Sequence, residues 1–441
     1  MKGKTVGIAL GAAGVAAAAW VGSAVVIGQQ AEQTLRALKS APQGSLRLTQ
    51  LTHERSLFGA KGQAELRLEA PCAAEPGSDQ PLRLRVDYTM AHLPLPGSLM
   101  RVDWQASPLG DTADAFSAVF GPVAQLSGRG TVAFNGALRT EMALPELALQ
   151  RAGEAIRVAP SQGFLAVNGD ALAFGWKIER IVVRGGGQAL EVKDMAVDVD
   201  LTNRRLGTGT MQFSAQQVGF GLGTAEGVSL RSTAVERGDR LDVTLVPSVR
   251  RMQGAGVDLS ELWLELAMKG LDTRSVQTLA SLAEASCGMQ SLTADEGRQA
   301  REAAMRLLAR GLSVGIPKVS GRGGGGELSG QFLVELREAA TGRPSLAGQL
   351  AARGHLELSG DIVSPAQRQA ALAAGIAVAQ GDTLRVAFDY AGGVLKLNDR
   401  ALDGSQVLAG LSRADAELQA LVSGWAAPAG TEAGSEVVSS R

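Results

Sequence analysis

One pentapeptide has the spacing of a hydrolase nucleophile. Residues 311–315, Gly-Leu-Ser-Val-Gly, fit the G-x-S-x-G pattern, in which a strand-to-helix turn exposes the serine for acyl transfer. Here the order is reversed, because a helical pattern precedes Ser313 and a strand-like run follows it. Such a hydrolase also needs a later histidine, and only His355 follows Ser313. The pattern therefore indicates a turn from a helix into a strand rather than a catalytic serine.

A glycine-rich run has the spacing of a dinucleotide-binding loop. Residues 321–326, Gly-Arg-Gly-Gly-Gly-Gly, contain G-x-G-x-x-G. A dinucleotide site needs this loop between a strand and a helix, because the helix N-terminus holds the pyrophosphate. The residues from Glu327 to Leu336 alternate as a strand. We therefore expect a hairpin loop and no bound cofactor.

The residues that bind metals are few and dispersed. His53, His92 and His355 are the three histidines, and a metal site needs three or four converging ligands. Convergence in space stays open, but surface or loop positions are the expectation. Three carboxylates have the spacing of a solvated strand face rather than of a catalytic pair: Asp194, Asp198 and Asp200.

The elements that must position these residues are mostly strands, because apolar residues recur with a period of two. The alternating segments are 64–69, 82–88, 195–201, 241–245, 328–336 and 384–390. One apolar and one charged face is typical of an antiparallel sheet that is covered on one side. An uncovered apolar face has the same sequence pattern and would form a groove for acyl chains.

Helices are predicted in the C-terminal half. Asp272 can cap a first helix, and residues 296–310 form a second with an alanine- and leucine-rich face. A third begins at Ser364-Pro365, with a capping-box Gln367. A short fourth covers residues 404–411, after which the chain loses clear periodicity.

The first 28 residues predict the cellular location of the protein. Lys2 and Lys4 precede an uncharged run of 24 residues, Thr5–Gly28, and about 20 residues cross a bilayer core. The lysines favour a cytoplasmic N-terminus, which exports the rest of the chain. A signal peptide cleaved near residues 22–24 is the alternative, and it exports the chain too. Small residues fall on one helical face that favours self-association, although an alanine- and glycine-rich helix also produces such a face by chance: Gly7, Gly11, Gly14, Ala18 and Gly22.

Composition excludes several classes of function. Formal net charge is −1, with 43 basic and 44 acidic residues well mixed, and this argues against nucleic-acid binding. Cys72 and Cys287 are the two cysteines. A disulfide and two free buried thiols both remain open, whereas a disulfide-stapled scaffold is excluded.

These patterns together predict an α+β fold, predominantly antiparallel β with a helical insert and a single N-terminal transmembrane helix. The predicted segments are a transmembrane anchor at 1–28, a β-rich periplasmic region at 29–271, the helical insert at 272–311, a smaller α+β region at 312–412 and a flexible tail at 413–441.

Scattered motifs resemble one bacterial family. Residues 53–58, His-Glu-Arg-Ser-Leu-Phe, are similar to an aromatic-x-Arg-Gly-aliphatic-Phe motif, with a serine in place of the glycine. Residues 92–96, His-Leu-Pro-Leu-Pro, resemble a His-Gly-Pro-x-Pro stretch. By themselves they favour a rigid strand exit over an extended recognition segment. Residues 390–398 are similar to a Tyr-x-(Asn/Gly)-Gly hairpin. The matching positions are Arg55, Phe58, His92, Pro94, Tyr390, Gly393 and Asn398.

The resemblance is to the YdgA-like bacterial inner-membrane proteins, known as domain of unknown function 945. It implies a single anchor in the inner membrane, a β-rich periplasmic body and no established catalytic residue. We therefore expect non-catalytic binding or scaffolding at the cell envelope, with an envelope protein or a second copy as partner. The alternative is a carrier of lipid along an apolar sheet face. An envelope hydrolase that uses Ser313 is a distant third.

Overall fold

The computed structural model describes residues 33, 46–68, 82–92, 98–110, 113, 125–151, 154–185, 188–285, 292–339 and 344–424. Its strands are β1 (Leu46–Arg55), β2 (Gly59–Leu68), β3 (Leu82–Ala91), β4 (Met100–Pro108), β5 (Leu126–Val132), β6 (Leu138–Leu144), β7 (Leu147–Arg151), β8 (Glu154–Val158), β9 (Ser161–Asn168), β10 (Ala171–Gly185), β11 (Gln188–Asn203), β12 (Thr208–Phe220), β13 (Gly223–Arg237), β14 (Arg240–Gly254), β15 (Val257–Asp272), β16 (Leu312–Gly323), β17 (Gly326–Leu336), β18 (Leu350–Ser359), β19 (Val378–Gln380), β20 (Thr383–Ala391), β21 (Val394–Leu397) and β22 (Arg400–Leu402).

The helices in the same residues are α1 (Thr273–Ala285), α2 (Ala294–Ala309), α3 (Leu346–Gln349), α4 (Pro365–Ala373) and α5 (Ser405–Gly424), and Gly360–Ile362 forms a 3-10 turn. None of these described helices has both the length and the apolar composition needed to cross a bilayer. The predicted anchor with its small-residue face, and also Cys72, Pro94 and Cys287, lie outside the described residues. The mostly antiparallel β prediction is confirmed.

The described residues up to Val235, with Thr244–Leu264 and Ser320–Gly324, form a first compact unit. Its strands pair antiparallel in the order β1-β2-β3-β4-β5-β6-β9-β10-β11-β12-β13. The hairpin of β7 and β8 prolongs β6 and β9, and β8 pairs with the second half of β10. The Ala159 amide donates to the Arg180 carbonyl (2.8 Å), so the pairing continues between β9 and β8.

Directly paired residues of antiparallel strands point to the same side of the sheet, so the first unit has two faces. Face A is the side of Trp176 and face B is the side of Lys177. One rung of face A, across β6 and β9–β13, is Met142, Gly163, Trp176, Val197, Phe213 and Leu230. The adjacent rung of face B is Ala143, Gln162, Lys177, Ala196, Ser214 and Ser229.

The apolar side changes face within β10. Trp176 and Ile178 lie on face A, whereas Ile181 and Val183 lie on face B, because strand residues alternate without interruption. The pairing register with β11 is the same before and after this point. β10 therefore does not keep one apolar face along its whole length. Its large apolar residues occupy even positions up to Ile178, whereas Ile181 and Val183 occupy odd positions. Because the backbone keeps alternating, the apolar side moves from face A to face B.

The second compact unit contains Glu236–Val243, Glu265–Val319 and the described residues from Gly325 onward. β17, β18, β20, β21 and β22 pair antiparallel in that order, and β19 adds to β20. Phe332 and Phe388 pack with ring centroids 5.6 Å apart. The predicted helical insert belongs to this unit.

A buried carboxylate begins α1. Asp272 is 2% exposed, and its Oδ1 accepts from the Ser275 amide (2.9 Å) and hydroxyl (2.6 Å). Arg310 donates to the other oxygen and also pairs with Asp239. Burial raises the pKa of Asp272, but the hydrogen bonds from Ser275 and Arg310 outweigh it and hold the pKa below its usual value. The predicted cap is confirmed.

The N-termini of two further helices are capped by local hydrogen bonds. Ser364 and Gln367 form the predicted capping box at α4, with a proline in the first turn. Thr293 and Glu296 form another at α2. The hydrogen bonds to Thr293 lower the pKa of Glu296. These contacts satisfy amides that have no partner inside the helix.

The predicted start of a flexible tail at residue 413 is wrong, because α5 continues to Gly424. Asp415 in this helix accepts from the amides of Leu346 (2.6 Å) and Ala347 (3.2 Å) and from the Ser345 hydroxyl (3.1 Å). These contacts cap α3 from a distant segment. They hold a stretch that has no strong periodicity of its own.

Candidate functional site

The two motifs that resemble catalytic loops are turns. α2 ends at Ala309 and β16 begins at Leu312, with Gly311 at φ +74° between them. β16 ends at Gly323 and β17 begins at Gly326, with positive φ at the two intervening glycines. Ser313 therefore lies on a strand that follows a helix, as its neighbours predict. The glycine run precedes a strand, as expected.

The described residues contain no group of three histidine, cysteine or acidic side chains that could hold a metal. Asp198 and Asp200 are exposed on face B, as predicted for a solvated strand face. Asp194 is also exposed, with φ 48°.

Two of the family-like motifs meet at one end of the first unit's sheet. The His92 amide donates to the Phe58 carbonyl (2.8 Å), and Gly59 is paired with Ala91. His53 Nδ1 lies 2.9 Å from the Tyr88 hydroxyl oxygen. The tertiary structure thus brings the end of β3 next to the turn between β1 and β2, which precedes it by a long stretch of sequence.

His92 follows the end of β3 and is fully buried, which corrects the expectation of a surface position. Neither ring nitrogen has a hydrogen-bond partner in the described structure. Burial lowers the pKa of His92, and the charges of His53 and Arg55 lower it further. Burial also raises the pKa of Tyr88. Within the described residues, the ring nitrogens of His53 and His92 do not converge with other ligands on a metal position.

The C-terminal motif positions form a hairpin in the second unit. Tyr390 is 3% exposed on β20, and Gly393 has φ 82° in the turn to β21. Asn398 Oδ1 accepts from the Ala387 amide (2.8 Å), and its Nδ2 donates to the Ile376 carbonyl (2.8 Å). These contacts give the motif a structural role, because each closes a turn or fills a buried position.

Face B holds a cavity of about 1270 Å³ across β1–β6 and β9–β11. Two ion pairs lie in it, Lys61 with Glu54 (3.0 Å) and Arg129 with Asp103 (2.6 Å), and Asp87 accepts from the amide of Gln63 (2.6 Å). The hydrogen bond to Asp103 raises the pKa of Arg129. Exposed cross-strand ion pairs of this kind are typical of a solvated sheet face.

Face A is apolar over three successive rungs. In β9–β11 these are Leu165, Phe174 and Val199; Gly163, Trp176 and Val197; and Ser161, Ile178 and Met195. The Phe174 and Trp176 rings stack at 6.4 Å between centroids, and Trp176 lies over Gly163. None of the large apolar side chains in these rungs is fully buried. On β12 and β13, Met211 is 45% exposed and Leu230 is 40% exposed.

Few apolar side chains are buried in the described part of the first unit: Ala60, Tyr88, Met90, Ala106, Leu147, Ala215 and Ala225. A sheet whose apolar face packs against a second layer buries its large residues there. Trp176 and its neighbours remain partly accessible to solvent. The β9–β11 part of face A is therefore a partly open apolar surface, whereas Ala60, Tyr88, Met90 and Ala106 are buried on the same face at β2–β4.

The apolar rungs of face A end at a group of arginines. Along β10 the face A residues continue with Arg180, Val182 and Arg184, and Arg157 on β8 is paired with Val182. These residues line a cavity of about 410 Å³ together with Glu146. Neither motif spacing nor strand alternation singles out these arginines in the sequence. The feature that could have indicated them is the change of the apolar residues from even to odd positions in residues 176–184, Trp-Lys-Ile-Glu-Arg-Ile-Val-Val-Arg.

A family model described as a bacterial protein of unknown function, DUF945, matches residues 1–403. The chain belongs to the DUF945 family. This match confirms the resemblance to domain of unknown function 945 that the scattered motifs indicated. Neither the curated proteins nor the solved structures contain a match to the chain. Because the family description assigns no activity, function has to be inferred from the surfaces of this DUF945 chain.

Proposed function

We propose that this DUF945 protein is a non-catalytic binding protein of the bacterial envelope, and that face A of the first unit binds a hydrophobic ligand such as a lipid acyl chain. The anchor predicted at residues 1–28 would hold it at the inner membrane with its body in the periplasm. The observation that carries the proposal is the partly open apolar surface formed by the three rungs around Trp176.

The physical support is the driving force for covering this surface. Removing apolar area from water stabilises a complex by about 25 cal/mol per Å², and contiguous exposed apolar patches mark sites for partners or ligands. Aliphatic and aromatic side chains on a regular strand spacing suit a long flexible chain, because they offer contact without directional hydrogen bonds. Face B, where charged and polar side chains predominate around the cavity, lacks this driving force.

If the proposal is correct, the ligand contacts residues on face A and not their sequence neighbours on face B. Leu230 and Arg231 are adjacent on β13, both are exposed, and they point to opposite sides of the sheet. A photoreactive benzoylphenylalanine placed at either position of the full-length protein, in growing cells, therefore tests the two faces with almost the same backbone environment. The adducts are identified by mass spectrometry of the digested protein.

A lipid mass attached at position 230, with little or none at position 231, is the expected result. A protein attached at position 230 would replace the lipid by a protein partner and make the chain a scaffold. Equal labelling at both positions, or none at either, would exclude a binding role for face A.

A further inference from the structure

We propose that the arginine group at the end of face A binds the anionic headgroup of a lipid whose acyl chain lies on the apolar rungs. The inference rests on the proposed function and names its ligand class more narrowly. The ligand is an anionic lipid, because the apolar surface and the basic pocket lie next to each other on face A of β10.

The continuity of this surface follows from the strand pairing. Trp176, Ile178, Arg180 and Arg184 all lie on face A, because β10 is one uninterrupted strand. β9 and β8 pair with it in a single register, before and after the break at residues 159 and 160. A strand rises by about 3.3 Å per residue. Arg180 therefore lies about 13 Å beyond Trp176 along the strand. An acyl chain on the apolar rungs can span that distance.

The charge at this end is positive. Arg157, Arg180, Arg184 and Lys193 stand on neighbouring strands of the same face. Two carboxylates lie among them: Glu146, which pairs with Arg157, and Glu191, which is 2.8 Å from Arg180 and 3.8 Å from Lys193. Four cations thus face two carboxylates.

Arg184 supplies the clearest recognition group. No hydrogen bond or ion pair holds its guanidinium within the described structure, and it is exposed at the cavity. A guanidinium binds phosphate through two parallel N–H donors, which makes arginine the preferred side chain for such groups. The phosphate of a lipid whose chain covers Ile178 and Trp176 would reach this position. A zwitterionic headgroup brings its own cation and gains less from the excess positive charge.

The test uses the full-length protein in maltoside detergent, loaded with phosphatidylglycerol or phosphatidylcholine of the same chain length and released for native mass spectrometry. Inorganic phosphate alone is the third probe. The variant is R180Q/R184Q, and the matched control is R231Q on face B, where Arg231 is bound to Gln212. All three proteins must give the same circular dichroism spectrum and unfolding midpoint.

We expect the wild-type protein and R231Q to retain phosphatidylglycerol over phosphatidylcholine by about tenfold, because charge-assisted hydrogen bonds of this kind separate the two headgroups by about that factor. R180Q/R184Q should bind the two lipids equally. Equal binding of both lipids by the wild-type protein would overturn the headgroup site and leave the apolar surface intact. Binding of neither lipid would overturn the proposed function as well. Saturation by inorganic phosphate alone, without lipid, would show a free-anion site and refute the lipid headgroup assignment.

Discussion

His53 Nδ1 lies 2.9 Å from the Tyr88 hydroxyl oxygen, so β1 and β3 are joined across the strand that separates them. Gly62 on β2 is the residue paired with both, and the Tyr88 ring occupies the space that a larger side chain would fill. The contact therefore depends on the absence of a side chain at position 62.

Acid should weaken the first unit through His92. Its pKa is lowered in the folded protein, by burial first and then by His53 and Arg55. The unfolded chain takes up the proton near pH 6.5, so the free energy of unfolding has its full value above that pH and falls as the pH drops below it. We expect a loss of roughly 1 kcal/mol per pH unit in this window.

The measurement is the urea unfolding midpoint at about pH 7.5 and about pH 5.5. His92→Leu should remove most of the additional loss at the lower pH, because the side chain no longer titrates. His355→Leu in the second unit is the control. An unchanged acid dependence in His92→Leu would contradict this assignment.

Glycines beneath aromatic rings should resist substitution on face A. A Cβ at Gly128 would lie 2.5 Å from Trp104 Cε2 and 2.7 Å from the Glu141 carbonyl oxygen. Gly128→Ala should therefore lower the free energy of unfolding by about 1–3 kcal/mol, since the ring must leave its position. Chemical denaturation followed by tryptophan fluorescence measures this loss.

Gly130 on the same strand is the matched control for that substitution. A Cβ there meets nothing closer than 3.5 Å, at Thr140 Cβ. Gly130→Ala should keep near-normal stability, so comparable losses in the two variants would mean that the alanine acts through the backbone of β5 rather than through the Trp104 ring.

The buried carboxylate of Asp272 should contribute far more to the free energy of unfolding than the exposed carboxylate of Asp239, which pairs with the same arginine. Asp272→Ala removes the α1 cap and leaves the Arg310 guanidinium without its buried partner. We expect a loss of about 2–4 kcal/mol in the free energy of unfolding. Thermal unfolding of the second unit, measured by circular dichroism, reports it.

Asp239 also pairs with Arg310 but is largely exposed, so Asp239→Ala should change little. The lowered pKa of Asp272 adds a second signature. Its contribution is present above about pH 4 and is lost as the pH falls through the folded-state pKa. Equal effects of the two substitutions would show that burial does not decide the strength of these pairs.

The C-terminal helix should be part of the folded second unit. Asp415→Ala removes an acceptor from three donors at the start of α3, and caps of this kind contribute about 1 kcal/mol. Glu417→Ala, an exposed position on the same helix, is the control. Faster proteolysis near residue 346 in the Asp415 variant alone is the expected result; equal cleavage in both would assign the effect to the helix and not to the cap.

Local features of the second unit could be predicted from the sequence. The capping box at Ser364 and Gln367 involves residues three apart, and the Asp272 cap bonds Ser275 within one turn. Alternation also predicted β2, β3, β11, β14, β17 and β20, since it follows from the backbone geometry of single segments. Family membership followed from motif order alone.

The amino-acid sequence by itself thus indicated the predominance of antiparallel strands, the caps at Asp272 and Ser364, and the family. The tertiary structure alone decided which residues meet: Arg310 with Asp239 and Asp272, the Asp415 cap of α3, and the buried His92 with the Phe58 carbonyl. It also placed Arg180 and Arg184 at the end of an apolar surface, because β8 and β9 pair with one continuous β10. The physical reason is range. Hydrogen bonds within a few residues are set by local dihedral angles, whereas contacts between distant segments depend on the register of every strand between them.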